Sequence, residues 1–357
     1  MKRFFRCILL IVNLLFVVLM LLSTLAGYVR PSRLVWVSII SYGYFVLLLA
    51  NIAFVVVWLC LSRWEFLISV AAIAVRYTFL PLFFQVGGTL VADASESTLK
   101  VMTFNTHSFT GADSKSTMTQ DDGATAFLKI VDGESPDVMC LQECYPSGKI
   151  NLIDSLEKRG YVYHHGVSSK KSPLVLYSRC PITHVSTIGK KSKFYADITK
   201  NGRQVRVCCV HLDSYHLEED DLIRLEQLGR AQYDEVFVDN FLSKFKETVL
   251  HHEREWDEDL SPLIEATETP LILAGDFNDT PASYIYQRAT RVLGDPYTEQ
   301  GRGFGTTYHG PYPAFRIDYI LHSKDIVPLS YKRVKTDISD HYPVVVLFDL
   351  DAKSGEE

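Results

Sequence analysis

Three long apolar runs occupy the start of the chain, at residues 4–29, 34–61 and 65–91. Each reaches the roughly 20 residues that a helix needs to cross a bilayer, and the links between them are very short. Three buried helices of a soluble protein are the alternative, and a cleaved signal peptide would explain the first run alone. We expect residues 1–91 to form a membrane domain with three transmembrane helices, followed by a linker at 92–98.

Basic residues near the ends of these runs predict the orientation of the membrane domain. Four of them lie at the N-terminal end of the first run or between the second and third, and two lie between the first and second: Lys2, Arg3, Arg6 and Arg63 against Arg30 and Arg33. The side with more Lys and Arg is usually cytoplasmic. Three spans would then place the rest of the chain on the far, extracytoplasmic side.

From residue 99 onward, short apolar segments alternate with helical patterns. The apolar segments are typical of core strands, and we predict them at 99–104, 137–143, 173–178, 194–199, 203–210, 271–275, 315–321 and 343–350. Helical patterns cover 124–131, 151–159 and 283–293. This order predicts an α/β (α+β) four-layer sandwich in which two mixed β-sheets pack face to face with helices outside.

The segment 218–266 is helical in pattern and highly charged. Its apolar residues form one stripe, which is typical of a helix that packs on a core. We interpret it as a pair of outer helices. A substrate lid is the alternative.

Charge divides the chain unevenly. The first 91 residues carry seven Lys or Arg and one acidic residue, so the remaining part carries 29 basic and 41 acidic residues, a net charge of −12. Tight non-specific binding to nucleic acid requires a basic footprint. The composition therefore argues against that mode of binding.

Polar side chains recur where the predicted strands end. They are Asn105, Glu143, His211, Asp276, Asn278, Asp318, Asp340 and His341. Carboxylates, amides and imidazoles without cysteine suit a hard cation that prefers oxygen ligands. The two histidines suit proton transfer near neutral pH.

Each of these residues also has an ordinary structural explanation. Asn105 could cap a turn, Glu143 could be a surface acid, His211 could be a hydrogen-bonded strand residue, and Asp318 could pair with Arg316. The repetition of such residues at successive strand ends favours a catalytic site.

Seven short motifs make the sequence similar to a known family. FNTH, LQE, YSRCPI, HLDS, GDFND, RIDYIL and SDHYPV follow one another between residues 99 and 350. In this order they resemble the motifs of the endonuclease/exonuclease/phosphatase superfamily, the deoxyribonuclease-like metal-dependent phosphohydrolases. The complete layout resembles membrane-anchored bacterial members, which implies a bacterial inner-membrane protein with a catalytic domain at 99–351 on the periplasmic side.

The resemblance implies a magnesium site, with manganese as a possible substitute. Glu143 would be the main ligand, with Asn105 and Asp340 near the metal. His107 departs from the pattern, since several nucleases of the superfamily have an acidic residue there.

The resemblance also implies roles for the other candidates. Asp276 would orient and deprotonate the attacking water, and Asn278 would hold a phosphoryl oxygen. His341, oriented by Asp318, would stabilise the transition state or move a proton. His211 would contact the phosphate or assist the leaving group.

The sequence therefore predicts a membrane-anchored, magnesium-dependent phosphoesterase that hydrolyses phosphodiester or phosphomonoester bonds by direct attack of water. The expected partners are the lipid bilayer and a phosphoester substrate, namely a lipid head group, a small phosphorylated molecule or a nucleic acid. The sequence indicates no protein partner. A membrane-anchored endonuclease or exonuclease is one alternative, and a non-catalytic binding module on the same fold is another.

Overall fold

Two mixed β-sheets pack face to face in the part of the molecule after residue 96. The computed structural model describes residues 2–88, 96–112, 116–145, 148–167, 173–189, 193–215, 235–310 and 315–351. In chain order the strands are β1 (Phe84–Gln85), β2 (Thr98–Asn105), β3 (Val138–Gln142), β4 (Tyr163–Val167), β5 (Leu174–Ser178), β6 (Ile182–Thr187), β7 (Lys193–Lys200), β8 (Arg203–His211), β9 (Leu271–Asp276), β10 (Gly303–Phe304), β11 (Asp318–His322), β12 (Val327–Arg333) and β13 (Val344–Asp349).

Helices precede the sheets and cover their outer faces. In chain order they are α1 (Lys2–Ser23), α2 (Val35–Tyr42), α3 (Tyr44–Cys60), α4 (Phe66–Val75), α5 (Gln120–Glu134), α6 (Leu152–Glu157), α7 (Glu235–Arg254), α8 (Ser261–Glu265), α9 (Tyr284–Ala289) and α10 (Pro296–Gln300). A π-helical turn (Glu255–Leu260) joins α7 to α8.

The predicted packing of two sheets with helices outside is confirmed. One sheet has the order β12-β13-β2-β3-β5-β4 and the other β11-β9-β8-β7-β6. Side chains alternate between the two faces of a strand, so Cys209 packs in the core between the sheets while Cys208 packs in the outer layer with Trp256. On the other outer face, Phe127 of α5 packs in a core with Phe104 of β2.

In the two packed sheets, the strands that the sequence analysis missed lie at the edges; it also missed the short paired strands β1 and β10. β4 and β12 end the six-stranded sheet, and β6 ends the five-stranded one. The side chains of β4 are exposed or half-buried throughout. Because an edge strand borders solvent, it needs no apolar alternation, and the sequence carried little signal there.

The prediction of three transmembrane helices is wrong. Among the described residues, one helix, Arg3–Ser23, is long and apolar enough to cross a membrane by itself. The second apolar run is broken at Gly43 into α2 and α3, which meet at a bend of 65°. The third run gives α4, a helix of only 10 residues, followed by the 3-10 helix Tyr77–Leu82. Hydropathy alone did not reveal these breaks, because the residues on both sides of them are apolar.

A buried polar network joins the N-terminal helices. The Asn13 side chain donates to Ser69 Oγ at 2.7 Å, Trp58 Nε1 donates to Asn13 Oδ1 at 2.9 Å, and Ser69 Oγ donates to Asn51 Oδ1 at 3.0 Å. All four residues are buried. Hydrogen bonds of this kind hold helices together where the surroundings are apolar.

The link between α1 and α2 is attached to the C-terminal part. Ser32 donates to both carboxylate oxygens of Glu253 from its backbone N–H and its hydroxyl, each at 2.7 Å. Arg291 Nη2 donates to the carbonyl of Gly27 at 2.7 Å. Further along, β1 pairs with β10. The helices are therefore packed onto the sandwich and are not merely tethered to it.

Within the charged segment 218–266, residues 235–265 are helical, as predicted, whereas 218–234 lie outside the described residues. The α7 helix presents Phe245 to Tyr42 of α2, with ring centroids 5.4 Å apart. This part of the segment is an outer helix that also contacts the N-terminal region.

The close approach of β8 and β9 requires a glycine at position 275. Gly275 lies opposite Val210, and a Cβ at Gly275 would lie 1.8 Å from the Val210 carbonyl oxygen. Asp276 follows Gly275 and is the last residue of β9. The close approach therefore also places the Asp276 side chain beside His211 at the end of β8.

Gly275→Ala should destabilise the protein by about 3 kcal/mol or more, because the backbones of two central strands must separate. Thermal unfolding followed by circular dichroism checks this. Gly133→Ala is the matched control, since a Cβ there meets no atom within 4 Å. Equal stability of the two variants would show that the strands can separate at little cost.

Candidate active site

All eight predicted site residues converge at one edge of the sandwich. β2 runs parallel to β3, and β8 runs parallel to β9, so the carboxyl ends of each pair meet. Polar residues at these four ends face the start of β11 and the approach to β13. The converging residues are Asn105, Glu143, His211, Asp276, Asn278, Asp318, Asp340 and His341.

Asp276 lies at the centre of the first group. Asn105 Nδ2 lies 3.0 Å from Asp276 Oδ2 and 3.4 Å from Glu143 Oε1. His211 Nε2 lies 3.7 Å from Asp276 Oδ2 and 3.8 Å from Glu143 Oε1. Two carboxylates from different sheets therefore share the same amide and imidazole neighbours.

Asp318 and His341 form the second group. Asp318 is the register partner of Asp276 across β9 and β11, and its Oδ2 accepts from His341 Nδ1 at 2.8 Å. His341 Nε2 then points toward Asp276 Oδ2, at 3.9 Å. Burial opposes protonation of His341, but the carboxylates of Asp318 and Asp276 outweigh it and hold its pKa well above the ordinary value.

Asp276 is a buried carboxyl whose pKa is raised. Burial is the main cause, and the neighbouring charge of Asp318 adds to it, while His341 and His211 act in the opposite direction. The backbone N–H of Asn278 donates to Asp276 Oδ1 at 2.8 Å and fixes the orientation of the carboxyl. This environment brings the pKa closer to neutral pH, which favours a general base.

Two of the eight predicted site residues have left-handed backbones. Glu143 has φ 50° directly after β3, and Asn278 has φ 51° directly after Phe277. Such conformations are uncommon for residues other than glycine and are frequent at functional sites. The Asn278 side chain donates to the Leu212 carbonyl at 2.9 Å, so it joins the segments that follow β8 and β9.

Asp340 contacts a histidine at the mouth of the site. His107 Nδ1 lies 3.2 Å from Asp340 Oδ1. Burial works to raise the pKa of Asp340, but the hydrogen bond from His107 and the charges of His341 and His107 lower it. The same hydrogen bond raises the pKa of His107, against the effect of burial. His107 therefore stabilises the carboxylate of Asp340, whereas an acidic residue at position 107 would repel it.

A cleft with about 800 Å³ of empty space, its open mouth included, is lined by six of the eight site residues and by His107; the six are Asn105, Glu143, Asp276, Asn278, Asp340 and His341. The cleft also contains aromatic residues that the sequence analysis missed: Tyr42, Tyr215, Tyr308 and Phe315. Tyr42 comes from α2, far away in sequence, and lies within an apolar run. No local pattern distinguished it from other residues of that run.

The donor set of the cleft fits a hard divalent cation. Glu143, Asp276 and Asp340 contribute carboxylates, and neither Lys nor Arg is among the described residues that line the cleft. Asp276, Asp318 and His341 also have ligand atoms within 4.8 Å of one another. In that set, however, His341 Nδ1 already binds Asp318. Glu143 and Asp340, beside Asn105, thus offer the more available oxygens.

Comparison with known families identifies the family of the chain and its class of enzyme. The Endonuclease/Exonuclease/phosphatase family matches residues 102–341. The chain belongs to this family. Members of the family are hydrolases that act on phosphoester bonds, so the chain is a phosphoric ester hydrolase. A second family, described as a domain of unknown function, matches residues 4–83.

Similar proteins include enzymes and proteins of known structure. A DNA-(apurinic or apyrimidinic site) endonuclease of Dictyostelium discoideum is 22% identical over 303 residues, which cover 72% of each chain. The catalytic domain of human Nocturnin, with a TM-score of 0.50 and 16% identity, covers 72% of this chain and 96% of its own. A family protein from Beutenbergia cavernae has a TM-score of 0.49 and 18% identity over 72% of each chain. The structural likenesses concern the fold.

Asp318→Asn should lower the pKa of His341, because the imidazolium loses the charge that stabilises it. The histidine titration can be followed by NMR on the detergent-solubilised chain in EDTA, with His341→Gln to assign the signal. Asp325→Asn, an exposed change on another segment, is the control. An unchanged titration of His341 in Asp318→Asn would contradict the pairing.

Proposed function

We propose that this protein is a membrane-anchored, Mg²⁺-dependent phosphoesterase in which water attacks phosphorus without a covalent enzyme intermediate. In this proposal residues 1–91 anchor the protein, residues 92–98 link the parts, and residues 99–351 carry the catalytic site. Most of that linker lies outside the described residues.

The observation that carries the proposal is the arrangement of a base and an acid in one cleft. The Asp276 carboxyl, with its raised pKa, lies 3.9 Å from Nε2 of His341, whose own pKa is raised by Asp318. A carboxylate that can accept a proton and an imidazolium that can donate one are the groups that hydrolysis by water requires.

Each side chain then has a distinct part. Asp276 orients the water and accepts its proton. His341 donates from Nε2 toward the phosphoryl oxygen as negative charge develops there, and Asp318 holds the imidazole in that orientation. Asn278 faces a second phosphoryl oxygen, and His211 contacts the phosphate or the leaving group.

Glu143, Asn105 and Asp340 would hold the metal. A bound Mg²⁺ would neutralise charge on the phosphoryl oxygens and position the reacting groups. Manganese, with similar preference for oxygen ligands, is expected to substitute.

The charge of the cleft favours a lipid head group or a small phosphoester over nucleic acid. Three carboxylates line the cleft, its described lining contains neither Lys nor Arg, and the chain after residue 91 has a net charge of −12. A polyanion would be repelled at long range. The similarity to an apurinic-site endonuclease keeps a membrane-anchored nuclease as the second candidate.

The N-terminal helices support the anchoring. α1 has 22 residues and therefore spans about 33 Å, close to the thickness of a bilayer core. Its surface exposes large apolar side chains such as Phe4, Ile11 and Leu15. Arg6 and Glu65 form an ion pair at the end of α1 away from Gly27, which contacts the C-terminal part. With the basic end cytoplasmic, the catalytic part lies on the periplasmic side of a bacterial inner membrane.

Glu143→Gln should reduce activity by about 100-fold while the protein stays folded, because an amide is a weaker ligand for a hard cation. Hydrolysis of bis(p-nitrophenyl) phosphate in Mg²⁺ and in EDTA measures the effect, with thermal unfolding in parallel. Glu157→Gln, on an exposed face of the short helix α6, is the control. Hydrolysis by Glu143→Gln at the parental rate would refute the assignment.

A reporter fused after Glu357 tests the orientation. Alkaline phosphatase, which folds outside the cytoplasm, should be active there, and green fluorescent protein should not fluoresce. A fusion after Arg33, which follows α1, provides the reference for the extracytoplasmic side. Cytoplasmic fluorescence without phosphatase activity in the Glu357 fusion would refute the orientation.

A further inference from the structure

A second cavity, the apolar groove, lies between the N-terminal helices and the sandwich. We define it by Phe45 and Phe83 on the N-terminal side and by Pro281, Phe304 and Phe315 on the other. It encloses about 770 Å³ of empty space, its mouth included. Aromatic side chains from both parts of the chain therefore form its walls.

The apolar groove adjoins the catalytic cleft. Phe315 lines both cavities. Its ring centroid lies 4.9 Å from that of Tyr42, which also lines the cleft. A ligand with its phosphate beside Asp276 could therefore extend past these rings into the groove.

The groove offers no free charge to a ligand. Arg316 is the one charged residue among its described lining, and this side chain is buried. Its Nη1 donates to Asp295 at 2.7 Å and its Nη2 donates to the Tyr286 hydroxyl at 2.9 Å. Because that charge is already compensated, the groove suits an uncharged, apolar occupant.

The groove also borders the surface that the proposed anchor presents to lipid. Phe45 belongs to α3, whose neighbouring residues Val46 and Leu49 are exposed. Phe304 of β10 lines the groove and packs against Phe84 of the paired strand β1, with ring centroids 4.9 Å apart. An apolar chain could enter from the bilayer without crossing water.

We propose that the apolar groove binds the hydrocarbon chain of a membrane lipid whose phosphoester lies in the catalytic cleft. This inference rests on the proposed function and specifies its substrate class. The groove binds the hydrocarbon chain and thereby positions the phosphoester, while the side chains of the cleft carry out the hydrolysis.

The full-length protein in detergent, with Mg²⁺, is assayed on p-nitrophenyl alkyl phosphodiesters that carry methyl, butyl or octyl chains. Each buried CH₂ group should raise kcat/KM by up to about fourfold, so the octyl diester should be the best substrate. The reacting bond is the same in all three diesters, so differences in kcat/KM report on how the alkyl chain binds.

Two variants test whether the groove causes this preference. Phe304→Ser removes an exposed part of the wall, and Thr306→Trp fills the space. Both should lower kcat/KM for the octyl diester by at least about tenfold and leave the methyl diester unchanged. Val162→Ser, an exposed apolar residue beside the edge strand β4, is the control.

Equal kcat/KM of the parent protein for the methyl and octyl diesters would overturn this inference and leave the proposed function intact. A preference for the longer alkyl chain that persists in both groove variants would likewise overturn the inference and leave the proposed function intact. Faster cleavage of plasmid DNA than of the octyl diester would also overturn it. Failure to hydrolyse any phosphoester would overturn the proposed function and this inference with it.

Discussion

The site depends on two buried carboxylates that face each other across a pair of strands. Asp276 and Asp318 are register partners in β9 and β11, and each is almost completely excluded from solvent. Two such charges would destabilise the fold if nothing opposed them. His341 binds one of them and lies near the other, and Asn105 donates to Asp276. Burial and the charge of Asp318 raise the pKa of Asp276, and the two carboxylates raise the pKa of His341, which suits these groups to base and acid roles.

Backbone geometry delivers these groups to one place. In both sheets a pair of parallel strands ends at the same edge, and Gly275 lets the β9 backbone approach Val210 closely enough to bring Asp276 beside His211. The left-handed conformations of Glu143 and Asn278 turn the chain sharply where the strands end. The functional side chains thus lie at strand ends or within four residues of them.

The N-terminal region contributes to the cleft as well as to the proposed attachment to a membrane. The ring of Tyr42, at the end of α2, packs edge-to-face against the rings of Tyr215, Phe245 and Phe315, which belong to the C-terminal part of the chain. Ser32 and Glu253 hold the preceding link in place. A catalytic domain separated from its helices would lose this wall of the cleft. The helices and the sandwich are therefore best understood as one functional unit.

The sequence by itself determined the central strands and the order of the polar residues at their ends. β2 and β9 are short apolar segments that end at Asn105 and Asp276, and Glu143 directly follows the apolar strand β3. Such local patterns depend only on neighbouring residues. The tertiary structure decided which distant groups meet. Edge strands such as β4 lack an apolar face, and the bend at Gly43 lies within an unbroken apolar run. The placement of Tyr42 in the cleft depends on packing between segments about 170 residues apart, which no local pattern encodes.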